Sequence, residues 1–185
     1  MEHLENPWKT LSDEFIYESA WIRVNKHDVI NPAGNKGIYS VVHFKNIAIG
    51  ILPLDEFYNT WLVGQFRYPV NKYSWEIIEG GGALDVDPVL SAERELLEET
   101  GIRATKYTKL LEMDLSNSCS DEKAIVYIAQ GLSFHTAEPE ETEQLQVRKL
   151  SFAEVFEMVL RGDITDAISV AAIYKAKILI DNGQV

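Results

Sequence analysis

The chain has 185 residues, 46% of them hydrophobic and 25% charged, which suits one globular core rather than a disordered or fibrous protein. Its formal net charge of −12 repels a phosphate backbone, so nucleic acid is excluded as a partner. A single cysteine, Cys119, rules out an internal disulfide and points to a cytoplasmic setting.

Elements follow in chain order. Residues 1–13 read as a loose arm anchored by Trp8, and "MEHLENPWKT" has no apolar core of a secretory signal. The runs "EFIYES", "AWIRVNKHDVI", "GIYSVVHF", "IAIGILPL", "TWLVGQFRY" and "YSWEII" are rich in β-branched and aromatic residues and read as strands. "NPAGN" predicts a hairpin between the second and third. A helix is then bounded by Asp87 as N-cap, Pro88 in its first turn and Gly101 past its end. Its apolar stripe is narrow: Ala92, Leu96 and either Leu97 or Val89.

"KYTKLLEMDL" and "KAIVYIAQGL" predict two more strands, and the acidic loop "TAEPEETEQ" leads to the short run "LQVRKL". "SFAE" is a capping box, Ser151 with Glu154, opening a helix that Gly162 closes. A last helix is predicted from about Asp166 to about Ile180. Its apolar stretch carries two lysines and is too short for a bilayer, so no membrane partner is expected. Strands, helix, strands and helices in that order predict an α/β fold, a mixed sheet with helices on its faces.

The first helix concentrates charge. Glu95, Glu98 and Glu99 share a face, and like charges at that spacing destabilise an isolated helix by roughly 0.2–0.5 kcal/mol per pair. Arg94 offsets part of this through Glu98, four residues on. Two readings stand at this point: a solvated acidic face, or hard oxygen ligands awaiting a divalent cation.

The stretch "GGGALDVDPVLSAERELLEETGI" resembles the Nudix box, G-x5-E-x7-R-E-U-x-E-E-x-G-U with U aliphatic. Gly80, Arg94, Glu95, Leu96, Glu98, Glu99, Gly101 and Ile102 match in register, and Val86 stands where the box has its first Glu. The resemblance implies a Nudix-type α/β/α sandwich that hydrolyses nucleoside diphosphates linked to another group, with Mg2+ or Mn2+. Glu95, Glu98, Glu99 and the main-chain carbonyl of Glu79 fall on metal-ligand positions. Arg94 falls on the position that orients those carboxylates, and Gly80 begins the loop before the helix.

The flanks are similar to one branch of the family. "FRYPVNKYSWEIIEGGG" resembles the R-Y-P and W-E-x-P-x-G-G run of ADP-ribose pyrophosphatases and related nucleoside-diphosphate-sugar hydrolases, with Ile78 in place of the proline. "RGDITDAISVAAIYKA" also resembles this branch. The resemblance implies substrate contacts at Arg67 and Glu76. It further implies a glutamate from the acidic loop, Glu141 or Glu143, that activates water or binds a further metal, with Glu141 first as the base that accepts water's proton and Glu143 as a substrate contact.

Asn117 replaces the proline of the branch's S-P-G loop, which widens the expected substrates from ADP-ribose to other nucleotide sugars of the ADP-glucose type. Cys119, in that loop, reads as a bystander. The strands before "IAIGILPL" exceed a minimal core. The division expected is therefore an N-terminal antiparallel β subdomain over 1–45, for homodimerisation, and a hydrolase domain over 46–185. A catalytically silent nucleotide-sugar sensor and a dinucleoside polyphosphate hydrolase are the alternative readings.

Overall fold

The computed structural model describes residues 5–137 and 145–185. The described residues fall into two compact units, one up to Asn46 together with Asp114–Lys123, the other Ile47–Met113 with Ala124–Val185.

In the first unit, strands β1 (Lys9–Glu18), β2 (Ile22–Ile30) and β3 (Lys36–Phe44) form an antiparallel sheet in the order β1-β2-β3. The "NPAGN" turn does join β2 to β3. Asn31 Oδ1 accepts the N–H groups of Ala33 and Asn35, and Gly34 takes φ 85°. The expected loose arm is corrected in part, because Lys9–Asp13 belong to β1 and pair with β2. Nothing in "KTLSD" alternates apolar with polar, so only the pairing reveals this strand. Segment Asp114–Lys123 attaches through Val42 N–H to Cys119 O at 2.8 Å and through Asp121, whose carboxylate accepts Phe44 N–H at 2.9 Å.

The second unit holds two sheets. One has the order β7-β4-β9-β8, from Ile78–Ala83, Asn46–Pro53, Lys123–Phe134 and Ile102–Asp114, with β4 and β9 parallel. The other has the order β10-β5-β6, from Gln146–Ser151, Asn59–Arg67 and Lys72–Glu76, and is antiparallel.

The pleat of β4 explains the layering. Ile49 and Ile51 pack in a core with Ala92 and Leu96 of helix α1 (Pro88–Thr100), while Gly50, between them, faces Ile168 of helix α3 (Ala167–Asp181). Helices therefore cover opposite faces of the sheet, as expected. Helix α2 (Phe152–Arg161) is capped by Ser151, whose hydroxyl accepts Glu154 N–H, and packs on α3.

Candidate active site

Helix α1 begins where expected. The Asp87 carboxylate accepts Val89 N–H at 3.1 Å, and Gly101 ends the helix at φ 69°. Its stripe is Ala92 and Leu96, both fully buried, with Val89 partly buried against the same core. The stripe is narrow because the same face also buries Glu95 and Glu99. Two buried carboxylates on a helix require compensation, since unpaired charge in low dielectric is strongly unfavourable.

Part of that compensation is local. Arg94 Nη2 lies 2.6 Å from Glu95 Oε1 and its Nη1 lies 2.6 Å from Glu98 Oε2. Nη2 also donates to Gly81 O at 2.9 Å, while Gly81 N–H donates to Glu95 Oε1 at 3.1 Å. The helix is thus docked onto the β7 backbone by two residues. Burial pulls the Arg94 guanidinium down, but the charges of Glu95 and Glu98 outweigh this and keep it protonated.

Gly80 completes the dock. A Cβ built there would overlap the Glu95 carboxyl group, so only glycine lets that carboxylate lie against the loop. Val86, the position that departs from the box, is exposed on the turn before α1, and its neighbour Asp87 serves as the cap.

The opposite side of β7 is held by α3. Asp166 caps α3 by accepting Ser169 N–H at 2.8 Å. The fully buried Ser169 hydroxyl accepts Ile77 N–H at 3.0 Å and donates to Glu79 Oε1 at 2.9 Å. Glu79 also hydrogen-bonds to Asp166. Desolvation, the Asp166 charge and the nearby Glu76 raise its carboxyl well above the usual range, with Ser169 opposing. The Glu79 side chain thereby tethers β7 to α3. Neither Ser169 nor Asp166 stood out as a site residue in the sequence. The D-x-x-S spacing signals only the helix cap.

Arg67, at the end of β5, and Glu76, at the end of β6, meet each other. Nε donates to both carboxylate oxygens at 3.0 and 3.1 Å, and Nη2 to Oε2 at 2.5 Å. Glu76 is buried while the Arg67 side chain is 38% exposed, so the carboxylate is an anchor and the guanidinium the outward group. Such a fork leaves the Nη1 hydrogens for another acceptor.

Glu141 and Glu143 lie outside the described residues. Among the described residues, no three His, Cys, Asp or Glu side chains are gathered tightly enough to hold an ion by themselves. Arg94 accounts for part of this by tying down Glu95 and Glu98. The donor chemistry still fits a divalent cation. It is all oxygen, lies on one helix face, and has a glycine-made cradle beside a β7 backbone that can supply a carbonyl.

A glycine loop docked on an acidic helix is the arrangement that the resemblance to the Nudix box implies. The NUDIX domain family model matches residues 44–171, and the nucleoside diphosphate sugar hydrolase N-terminal domain model matches residues 8–42. The chain belongs to the Nudix family, in its nucleoside-diphosphate-sugar hydrolase branch. It is 32% identical to an ADP-ribose pyrophosphatase of Mycobacterium tuberculosis over 91% of this chain and 83% of that one. It is 30% identical to an ADP-ribose pyrophosphatase of Bacillus subtilis over 94% of this chain and 93% of that one. A solved structure described as an ADP compounds hydrolase superposes with TM-score 0.86 at 22% identity, covering all of both chains. Nudix hydrolases use divalent metal ions. No helix among the described residues is long and apolar enough to cross a membrane.

Proposed function

We propose that this protein is a cytoplasmic Mg2+- or Mn2+-dependent enzyme that hydrolyses the pyrophosphate link of nucleoside diphosphate sugars. ADP-ribose and ADP-glucose are the types to try first, and the products are a nucleoside monophosphate and a sugar phosphate. The observation that carries this reading is the dock of Glu95 and Arg94 onto Gly80 and Gly81, which sets the Glu95 carboxylate against that backbone loop and the Glu98 carboxylate on the same arginine.

When bound, the metal supplies charge compensation for the diphosphate and acidifies water. Glu95, Glu98, Glu99 and the Glu79 carbonyl are the residues that would hold it. Arg94 orients two of those carboxylates. Gly80 makes room for Glu95, and the Ser169–Glu79 tether steadies β7 from behind. Arg67, fixed by Glu76, donates to a phosphate oxygen. Glu141, with Glu143 as its neighbour, accepts the proton from water as water's oxygen bonds to one phosphorus and the bridging P–O bond breaks.

The division at 45/46 into a dimerising N-terminal part and a hydrolase part belongs to the same proposal. It is supported by the exposed Leu11, Phe15, Ile16, Tyr17, Trp21 and Ile38 of the first unit, an apolar surface that isolated soluble sheets rarely leave open. Trp8 and Tyr39 pack edge to face, and Tyr39 OH donates to Ser118 O at 2.5 Å, so these aromatics support their own unit first.

The test is a panel of ADP-ribose, other nucleotide sugars and dinucleoside polyphosphates with Mg2+, with and without chelator. Metal-dependent release of nucleoside monophosphate from a nucleotide sugar is expected. Tight binding with no turnover of any substrate would instead mark a silent sensor.

A further inference from the structure

Ile77 is the one residue between β6 and β7, and the chain changes sheets there. β6 belongs to the β10-β5-β6 sheet and β7 to the β7-β4-β9-β8 sheet. A buried main-chain N–H at such a corner needs a partner from elsewhere in the fold. Ile77 is buried, and the Ser169 hydroxyl takes its N–H at 3.0 Å. The same hydroxyl donates to Glu79 Oε1 at 2.9 Å. One buried oxygen on α3 therefore spans the corner, holding residue 77 by its backbone and residue 79 by its side chain.

Ser169 is itself fixed. It lies in the first turn of α3, where Asp166 accepts its N–H at 2.8 Å, and it is fully buried. Its one hydroxyl proton goes to Glu79 and a lone pair goes to Ile77, so both interactions serve the corner. From the other side, α1 holds Gly81: its N–H donates to Glu95 Oε1 and its carbonyl accepts from Arg94 Nη2. Residues 80–82 are all glycine and have no side chains with which to fix their own backbone. The Glu79–Gly80 peptide, which carries the Glu79 carbonyl, thus lies between two clamps. The α1 clamp uses a carboxylate that would also serve the ion, whereas Ser169 belongs to the clamp alone.

We infer that Ser169 is a positioning residue for divalent-metal binding, acting through Ile77 N–H and the Glu79 side chain on the peptide that carries the Glu79 carbonyl. The inference rests on the metal site of the proposed hydrolase and adds to it a residue that works from behind the strand. Removing an outer partner that orients a metal ligand weakens metal affinity about 10- to 100-fold, and one carbonyl among several ligands places Ser169 at the lower end.

The experiment reads metal without turnover. Binding of Mn2+ alone to the full chain is measured by electron paramagnetic resonance for wild type, Ser169→Ala, Ser169→Thr and Ala176→Gly, with a melting curve for each. Ser169→Ala should weaken Mn2+ about tenfold, and Ser169→Thr, which keeps the hydroxyl, should stay within about threefold of wild type. Ala176→Gly loosens α3 two turns further on, about 10 Å along the helix, and should melt lower yet bind Mn2+ as wild type does. If Ser169→Ala does not fold, Ser169→Cys, with its weaker donor, takes its place and should shift affinity in the same direction. Unchanged Mn2+ affinity in the folded variant, or an equal loss in Ala176→Gly, overturns the inference. Wild type that binds Mn2+ with the expected dependence on Ser169 but hydrolyses no nucleotide sugar leaves the inference standing and removes the proposed activity. Wild type that binds no Mn2+ removes both.

Discussion

Gly80→Ala puts the docking geometry under direct load. The new Cβ would coincide with the Glu95 carboxyl group, the mobile end of a side chain, so the fold survives and Glu95 moves. Moving it breaks the Gly81 N–H hydrogen bond at 3.1 Å and the Arg94 contact at 2.6 Å. A hydrogen bond to a charged group contributes about 1.5–3 kcal/mol. The partly exposed ion pair adds less than about 1 kcal/mol. Replacing glycine returns about 0.4–1 kcal/mol through the unfolded chain.

The net loss is about 1–3 kcal/mol, a fall in Tm of roughly 2–12 °C for a chain of this size. Activity should fall much further, about 100- to 1,000-fold, because a displaced carboxylate no longer serves the charge that develops in the reaction. Thermal melts and initial rates of AMP release from ADP-ribose across a Mg2+ series measure both, and half-saturation by Mg2+ should rise. A variant with activity within threefold of wild type and an unchanged Mg2+ requirement would refute the role assigned to the Gly80–Glu95 contact.

Arg67→Lys removes the fork on Glu76, and the KM for a nucleotide sugar should rise about tenfold with a stability loss of about 1–2 kcal/mol, read from steady-state kinetics and urea melts. Gly101→Ala forces a left-handed φ of 69° on alanine and drives its Cβ into the His135 carbonyl oxygen. A stability loss of at least about 2 kcal/mol is expected in urea unfolding.

Asp55 gives a pH signature. Burial pushes its carboxyl up, but hydrogen bonds from Asn59, Lys149 and the N–H groups of Asn59 and Phe57 outweigh this and bring it to about 2. A lowered folded pKa stabilises above the unfolded value and is lost as pH falls from about 4 to about 2. The stability gap between wild type and Asp55→Asn should therefore shrink by about 2 kcal/mol across that window.

The chemistry of α1 was legible because it is local. A cap, a stop and three glutamates at helical spacing need no knowledge of the rest of the chain, and Asp87, Gly101 and the Arg94–Glu98 pair stand where spacing put them. Contacts across the fold were not legible. Arg94 also reaches Glu95 and Gly81 O, a connection that helix spacing does not suggest. β7 was not legible because three glycines in six residues carry no strand pattern and Gly80 read as the start of the loop before the helix, yet that position must lack a side chain for α1 to dock. Ser169 is distant in sequence from Ile77 and Glu79, and only the packing of α3 joins them. Glu76 read as a candidate substrate contact, and its pairing with Arg67 across β5 and β6 was not legible.

The most direct test of the central claim is Glu99→Gln in the full chain. The substitution keeps shape and replaces one buried carboxyl group of the α1 face by an amide. AMP and ribose 5-phosphate release from ADP-ribose should drop at least about 100-fold at saturating Mg2+, with a melting curve to check that the variant is folded. Wild-type rates in Glu99→Gln, or wild-type turnover that persists in excess chelator, would contradict hydrolysis at a metal held by this helix.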